Sequence, residues 1–291
     1  MNGEKMVQAR SVSAYVLPLS KPSQLTEPQS QVSDEDTVFT TTWEWKDNPD
    51  SVHAFPNIKL ESDLLPIQLS NLNALNIAVT WSMAAEDGQG LATVDAGADV
   101  VVDMFLDLDA VSANSTTLPK YEVMVWMGAY GGKTPIGFNS TLQNLPTYSL
   151  NGTNLYASTN STAIYWLIDW LLCSTLYTGP NGNGQTVYTW LPSSNITNFN
   201  TDISPLIHYL WRHNMFAESN YLGIVQFGTE TFHATSNVTF SAKNFNFNIT
   251  KGDPKPVPGS GSGSKSGGDA RATPNMLSIL LLGFFGFLVS L

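Results

Sequence analysis

The pattern that most constrains this chain is a two-residue alternation of side-chain character, repeated in short runs from Val38 onward. In FTTTWEW, Phe39, Thr41, Trp43 and Trp45 fall on one face, and Thr40, Thr42 and Glu44 on the other. Such alternation makes a strand with one buried face. NIAVTWS repeats it with Ile77, Val79 and Trp81. ADVVVDMFLD (98–107), YEVMVWM (121–127), QTVYTWL (185–191), NYLGIVQFGTET (220–231) and VTFSAKNFNFNI (238–249) follow. Asn48-Pro49, Asp87-Gly88, Gly131-Gly132 and Asn181-Gly182 punctuate the runs as turns. Many short strands with little helix between them predict an all-β sandwich. One helix is predicted, because Leu206, Ile207, Leu210 and Trp211 recur at helical spacing through ISPLIHYLWRH, with Asp202 placed to cap it.

Charge and residue usage exclude several functions. The net charge is −11, from 13 basic and 24 acidic residues. With no basic stripe to displace counterions, nucleic-acid binding is not expected. A neutral ligand such as a glycan stays open, and an aromatic content of 11% suits a β-rich core or an aromatic-lined surface. The single cysteine, Cys173, excludes a disulfide framework and any Cys-based zinc site. His53, His208, His213 and His233 have no partners at metal-ligand spacing, so no metal is expected. No Gly-rich loop follows a strand and opens a helix, which leaves nucleotide cofactors without support.

The two ends differ from the middle. Met276 to Leu291, MLSILLLGFFGFLVSL, carries no charge. It is short for a spanning helix, which needs about 20 apolar residues. A Gly/Ser run from Gly259 to Gly268 and the polar spacer DARATPN precede it. Small residues, spacer and apolar tail in that order form the pattern of a GPI-attachment signal, with Ser266, Gly267 and Gly268 as candidate attachment residues. The expected location is therefore extracellular, at the cell surface, with membrane attachment through the GPI anchor. Asn-x-Ser/Thr sequons at Asn114, Asn139, Asn151, Asn160, Asn195, Asn237 and Asn248 are compatible with a secreted glycoprotein. That route calls for an N-terminal leader, yet MNGEKMVQARSVSAYVLPLSKPS has only a broken apolar stretch around Ala14 to Leu19. The expected organisation is an irregular segment over 1–36, a folded domain over 37–250, a Pro/Gly/Ser linker over 251–275 and the apolar tail over 276–291. A monomer is expected.

Carboxylates inside strands carry the chemical interest. In YEVMVWM, Glu122 shares a face with Met124 and Trp126, while Val123, Val125 and Met127 take the other, apolar face. Gln226, Gly228 and Glu230 share one face of IVQFGTET. Asp99 and Asp103 project together from an otherwise apolar run. On spacing alone these acids fit a solvated strand face. Beside aromatic platforms on a concave sheet, they also fit a site that cleaves glycosidic bonds with paired carboxyls.

DMFLD, YEVMVWMGAYGGKTPIG, LYTGPNGNGQTVYTW, a helix and VQFGTETF occur in that order, and this resembles glycoside hydrolase family 12, the small endoglucanases and xyloglucanases. TWEWKDNPDSVHAFPNIKL (42–60) is similar to the family's early strands, so the resemblance covers roughly residues 38 to 250. It implies a concanavalin-like β-jelly roll of two antiparallel sheets with one helix on the convex side. It also implies a retaining hydrolase acting on β-glucan without a cofactor. Glu122 matches the family nucleophile, Glu230 the general acid/base, and Asp103 an aspartate beside the nucleophile. Trp126, Met124, Pro135 and Phe232 match positions lining the cleft. Asp99 stands where relatives often have Asn. An early aromatic-bearing segment of the family has no counterpart before Val38. Residues 156–175, strongly apolar from Ile164 to Cys173, read as an insertion with the character of translated intron sequence. A non-catalytic glycan-binding surface protein and a wall transglycosylase are the competing expectations.

Overall fold

The computed structural model describes residues 29–33, 38–86, 88–151 and 171–254. Chain contacts separate Met1–Val257 from Pro258–Leu291, and the second unit lies outside the described residues, as do the attachment residues and apolar tail expected there.

Two sheets stack as a jelly-roll sandwich. One runs β1 (Gln29–Ser33), β2 (Val38–Trp43), β14 (Val238–Lys251), β5 (Leu72–Ala85) and β11 (Asn198–Asp202). The other runs β3 (Asn57–Lys59), β12 (Tyr221–Gly228), β6 (Gly97–Asp107), β7 (Tyr121–Tyr130), β10 (Thr186–Pro192), β9 (Leu171–Pro180) and β8 (Thr147–Asn151). β4 (Ile67–Gln68) pairs with β12, and β13 (Thr231–His233) with β6. Pairing is antiparallel except between β7 and β10.

The period-two pattern explains the core. Ile77, Val79 and Trp81 of β5 point inward, as do Phe240, Phe247 and Ile249 of β14. They meet Val100, Val102, Met104 and Leu106 of β6, and Val123, Val125 and Met127 of β7. Alternate residues of β6 and β7 therefore face away from this core. Both strands are central, and β6 is covered on both faces down to its last residue. A wholly buried strand reads as a continuous apolar run. Asp99 and Asp103 interrupt that run, and burying them requires compensating partners.

Three expectations change. Residues 29–33, expected to be irregular, form an edge strand that extends the β2 edge in full register from Gln29↔Thr42 to Ser33↔Val38. Residues 171–175, placed within the insertion, belong to β9 and pair with β8, and Ser174 and Thr175 pair with β10 as well. The rest of that stretch, 156–170, lies outside the described residues. Besides the expected helix, α2 (Ser204–Arg212), a single turn, α1 (Ala110–Ala113), follows β6 and is capped by Asp109. Asp202 does meet α2, through Ser204 N–H at 3.0 Å, and it also accepts from Leu75 N–H at 3.0 Å. It thereby ties the helix start to β5. Leu206, Ile207 and Leu210 bury in the main core. Among the described residues no helix is long and apolar enough to cross a membrane.

Candidate active site

The outward face of the larger sheet holds a second apolar cluster of Val101, Met124, Trp126 and Val187, edged by Phe55, Ala129 and Leu191. Four carboxyls rise beside this floor. The alternation that sends Val123 and Val125 into the core sends Glu122, Met124 and Trp126 here. Asp103 lies opposite Met124 across the β6–β7 pair, one diagonal step from Glu122. Glu230 is not in β12, as the alternation suggests, but in the link between β12 and β13. Reciprocal bonds hold it to β6: Asp99 N–H donates to the Glu230 carbonyl at 3.1 Å, and Glu230 N–H donates to Asp99 Oδ1 at 3.0 Å.

The four acids form two pairs, Asp103 with Glu122 and Asp99 with Glu230, each linked by a side-chain hydrogen bond. The aspartates lie beneath, 4% and 0% exposed, and the glutamates are only half-buried. Burial, followed by repulsion from Glu122 and Glu230, holds Asp103 well above the usual carboxylate range. Burial and then Glu230 do the same to Asp99. Burial also raises Glu230. Burial and the nearby Glu230 charge push Glu122 up to about 7, against two hydrogen bonds, from Asn181 and Asp103, that pull it down. Two ionised carboxylates cannot hydrogen-bond each other. As anions, Asp103 Oδ1 and Asp99 Oδ2 have no donor among the described residues. A proton on each aspartate resolves both problems, because it turns each into a donor to its glutamate.

Asn181 and Gln185 belong to this site, although the sequence pattern marks Asn181 only as a turn former and Gln185 only as the start of the strand QTVYTWL. Asn181 Nδ2 donates to Glu122 Oε2 at 2.7 Å and to Gln185 Oε1 at 2.7 Å. Asn181 Oδ1 accepts from the backbone N–H groups of Asn183 and Gln185, both at 3.0 Å. Buried Gln185 is anchored in turn to the Thr116 carbonyl at 3.3 Å. The turn between β9 and β10 thus fixes which edge of the Asn181 amide faces Glu122. The signal was present in the Asn181–Gln185 spacing, which a turn reading alone leaves unused.

The remaining expected positions are spread around the carboxyls, on the outward face and in the loop after β7. Trp126 is 3% exposed, so it is packed floor and not an open stacking platform. Met124 lies beside it, also buried. Phe232, on β13, is half-buried with Lys133 Nζ 5.0 Å from its ring centroid. Both cover Gly97, two residues before Asp99 on the same face of β6, where a Cβ would come within 2.8 Å of Lys133 Cε. Pro135 is buried in the loop after β7, which packs on β9, two strands to the side of Glu122. Among the described residues no group of His, Cys, Asp or Glu is arranged to hold a metal. His208 is structural, bonded to the Leu72 carbonyl at 2.9 Å, and His213 stacks on Tyr209.

Comparison with known proteins finds one family and several relatives. The model of glycosyl hydrolase family 12 matches residues 21–250. Xyloglucan-specific endo-beta-1,4-glucanase A of Emericella nidulans is 29% identical over 210 residues, 72% of each chain. A protein named inactive glycoside hydrolase XLP1, from Phytophthora nicotianae, is 28% identical over 202 residues, 69% of this chain and 70% of its own. Among solved structures, the catalytic domain of Humicola grisea Cel12A, in complex with a soaked thio cellotetraose, matches with a TM-score of 0.57 and 27% identity. That match covers 74% of this chain and 81% of the other.

Proposed function

This chain belongs to glycosyl hydrolase family 12, and from that premise we propose that it is a retaining endo-β-1,4-glucanase or xyloglucanase, with Glu122 as nucleophile and Glu230 as general acid/base. The observation that carries the reading is the pair of half-buried glutamates on the outward face of the larger sheet, close enough to raise Glu122 to about 7, each backed by a buried aspartate.

A retaining cleavage needs one carboxylate to attack the anomeric carbon and one carboxylic acid to protonate the leaving oxygen. Two neighbouring acids resist double ionisation, so the pair holds one proton between them. Asn181 and a protonated Asp103 both donate toward Glu122 and favour the negative charge there. In the free protein the Glu230 charge helps raise Glu122 to about 7; for the reaction the shared proton moves to Glu230, facing the leaving group. After the glycosyl-enzyme ester forms, the Glu230 carboxylate takes a proton from water, and the hydroxide equivalent breaks the ester. The anomeric configuration is retained through two inversions.

The relative described as inactive supports a second reading, a glycan-binding protein that does not cleave. Presence of both glutamates favours cleavage. Transfer of the glycosyl group to another sugar differs only in the acceptor of the second step. The test is reducing-sugar release from xyloglucan and mixed-linkage β-glucan beside Glu122→Gln, with the anomer of the first product read by NMR. Release of the β-anomer by the parent and its loss in the variant is expected; binding without release would leave the lectin. For location, the small-residue run, spacer and apolar tail support a GPI-anchored, extracellular protein. Release from cells by a phosphatidylinositol-specific phospholipase is the expected outcome, and retention would contradict it.

A further inference from the structure

One line of paired residues crosses the outward face of the larger sheet from β3 to β9. Lys59 lies opposite Gln226, Gln226 opposite Asp103, Asp103 opposite Met124, Met124 opposite Thr189 and Thr189 opposite Tyr177. Directly paired residues share a face, so Tyr177 stands on the same surface as the carboxyls. It is two strands beyond β7, about 10 Å to the side at the ordinary strand spacing. There the loop after β7 adds a second ring. Phe138 packs on Tyr177 with ring centroids 5.3 Å apart and planes inclined by 41°.

Phe138 is 40% exposed, and its position is built rather than slack. Its N–H donates to the Pro135 carbonyl at 3.0 Å, closing a turn. Gly137, at φ +82°, lies so close to β9 that a Cβ would collide with the Thr178 carbonyl. Ile136 fills the space over Gly179, where a Cβ would come within 2.6 Å of its Cγ2. The loop is thereby locked onto β9 with an apolar ring held partly toward solvent, against Tyr177 on the face that carries the carboxyls. An apolar surface maintained in that way marks a contact site.

We propose that Phe138 and Tyr177 form a distal sugar-binding platform, taking the apolar face of a pyranose in a β-1,4-glucan chain about two sugars from the cleaved bond. One pyranose spans a length close to the ~4.8 Å strand spacing, so a glucan lying across the strands brings a ring over Tyr177. Aromatic faces cover the C–H face of a sugar while its hydroxyls stay in water. The proposal rests on the glucanase reading and adds where the chain's far sugars sit.

The test measures binding of cello-oligosaccharides of increasing length by calorimetry, using full-length Glu122→Gln as the parent so that ligands stay uncleaved. The parent is expected to gain about tenfold in affinity at the length that first reaches the platform. Adding Phe138→Ala is expected to remove that step, and Tyr177→Ala to remove it too. Phe138→Trp is expected to keep it. Thermal unfolding checks that each variant is folded; Phe138 is surface-exposed, so its truncation leaves the core intact. A length series for Phe138→Ala that superimposes on the parent overturns the platform while leaving the glucanase reading standing. A parent that binds no oligosaccharide of any length overturns both.

Discussion

Glu122 and Glu230 each lean on a buried aspartate, yet among the described residues only Glu122 also accepts an amide hydrogen. The two pairs have the same parts: a half-buried glutamate above, an aspartate held well above its usual range below, and a hydrogen bond between them. Their settings differ. Asp99 spends one oxygen on the backbone N–H of Glu230, which fixes the position of that residue. Asn181 spends its amide on the side chain of Glu122, which stabilises a charge. The lesson is that a near-symmetric pair is made unequal by one donor. That donor works against the burial and the Glu230 charge that raise Glu122, and it is the feature that favours the proposed placing of the negative charge on Glu122 in the reacting arrangement.

Replacing one member at a time breaks the comparison, and the largest effect falls on the nucleophile. Glu122→Gln removes the proposed attacking group, and kcat is expected to fall by at least about 10⁴-fold. Glu230→Gln is expected to cost about 10²–10⁴-fold on polymer. Its loss should shrink on aryl glycosides with acidic leaving groups, which need no proton; an equal loss on both substrates would contradict the acid role. Asn181→Ala should lower kcat about tenfold, the scale of one hydrogen bond to a charged group. It should also move the acid limb of the pH–rate profile upward, because a contribution that lowers the Glu122 pKa is gone. A lower kcat with an unmoved limb would make Asn181 merely structural.

The smallest effect is on stability, and its sign is opposite. All four acids are raised in the folded chain. Between the unfolded carboxylate range near 4 and the folded value of about 7 for Glu122, the folded state retains protons that the unfolded chain has released. Stability is therefore fully present below that window and falls as pH rises through it. Glu230→Gln removes one of the repelling charges. Near neutral pH it should raise Tm by about 2–4 °C, read by calorimetry, and bring Glu122 below about 7.

The sandwich was legible because alternation is local. Ile77, Val79 and Trp81 announce an inward face without knowledge of their partners. The acids on β6 and β7 were legible for the same reason, since a carboxylate inside an apolar run conflicts with its strand. What was not legible depends on pairings far apart in the chain. The strand at Gln29–Ser33 is polar, and only its partner β2 makes it a strand. Asn181 looks like an ordinary turn former, and its role appears only when β10 lies beside β7 and carries the turn to Glu122. Trp126 could be assigned to the cleft face from its spacing, but not its depth. Val101, from the neighbouring β6, and Val187, from β10, pack with it there.

The central claim is the division of labour between Glu122 and Glu230. The most direct measurement is mass-spectrometric mapping of the protein after reaction with a 2-deoxy-2-fluoro cello-oligosaccharide carrying an activated leaving group, which forms the glycosyl-enzyme ester and hydrolyses it slowly. The account predicts one added sugar chain on the peptide that contains Glu122, and none in Glu122→Gln. A label on Glu230, or no covalent adduct in a protein that still releases sugar, would contradict it.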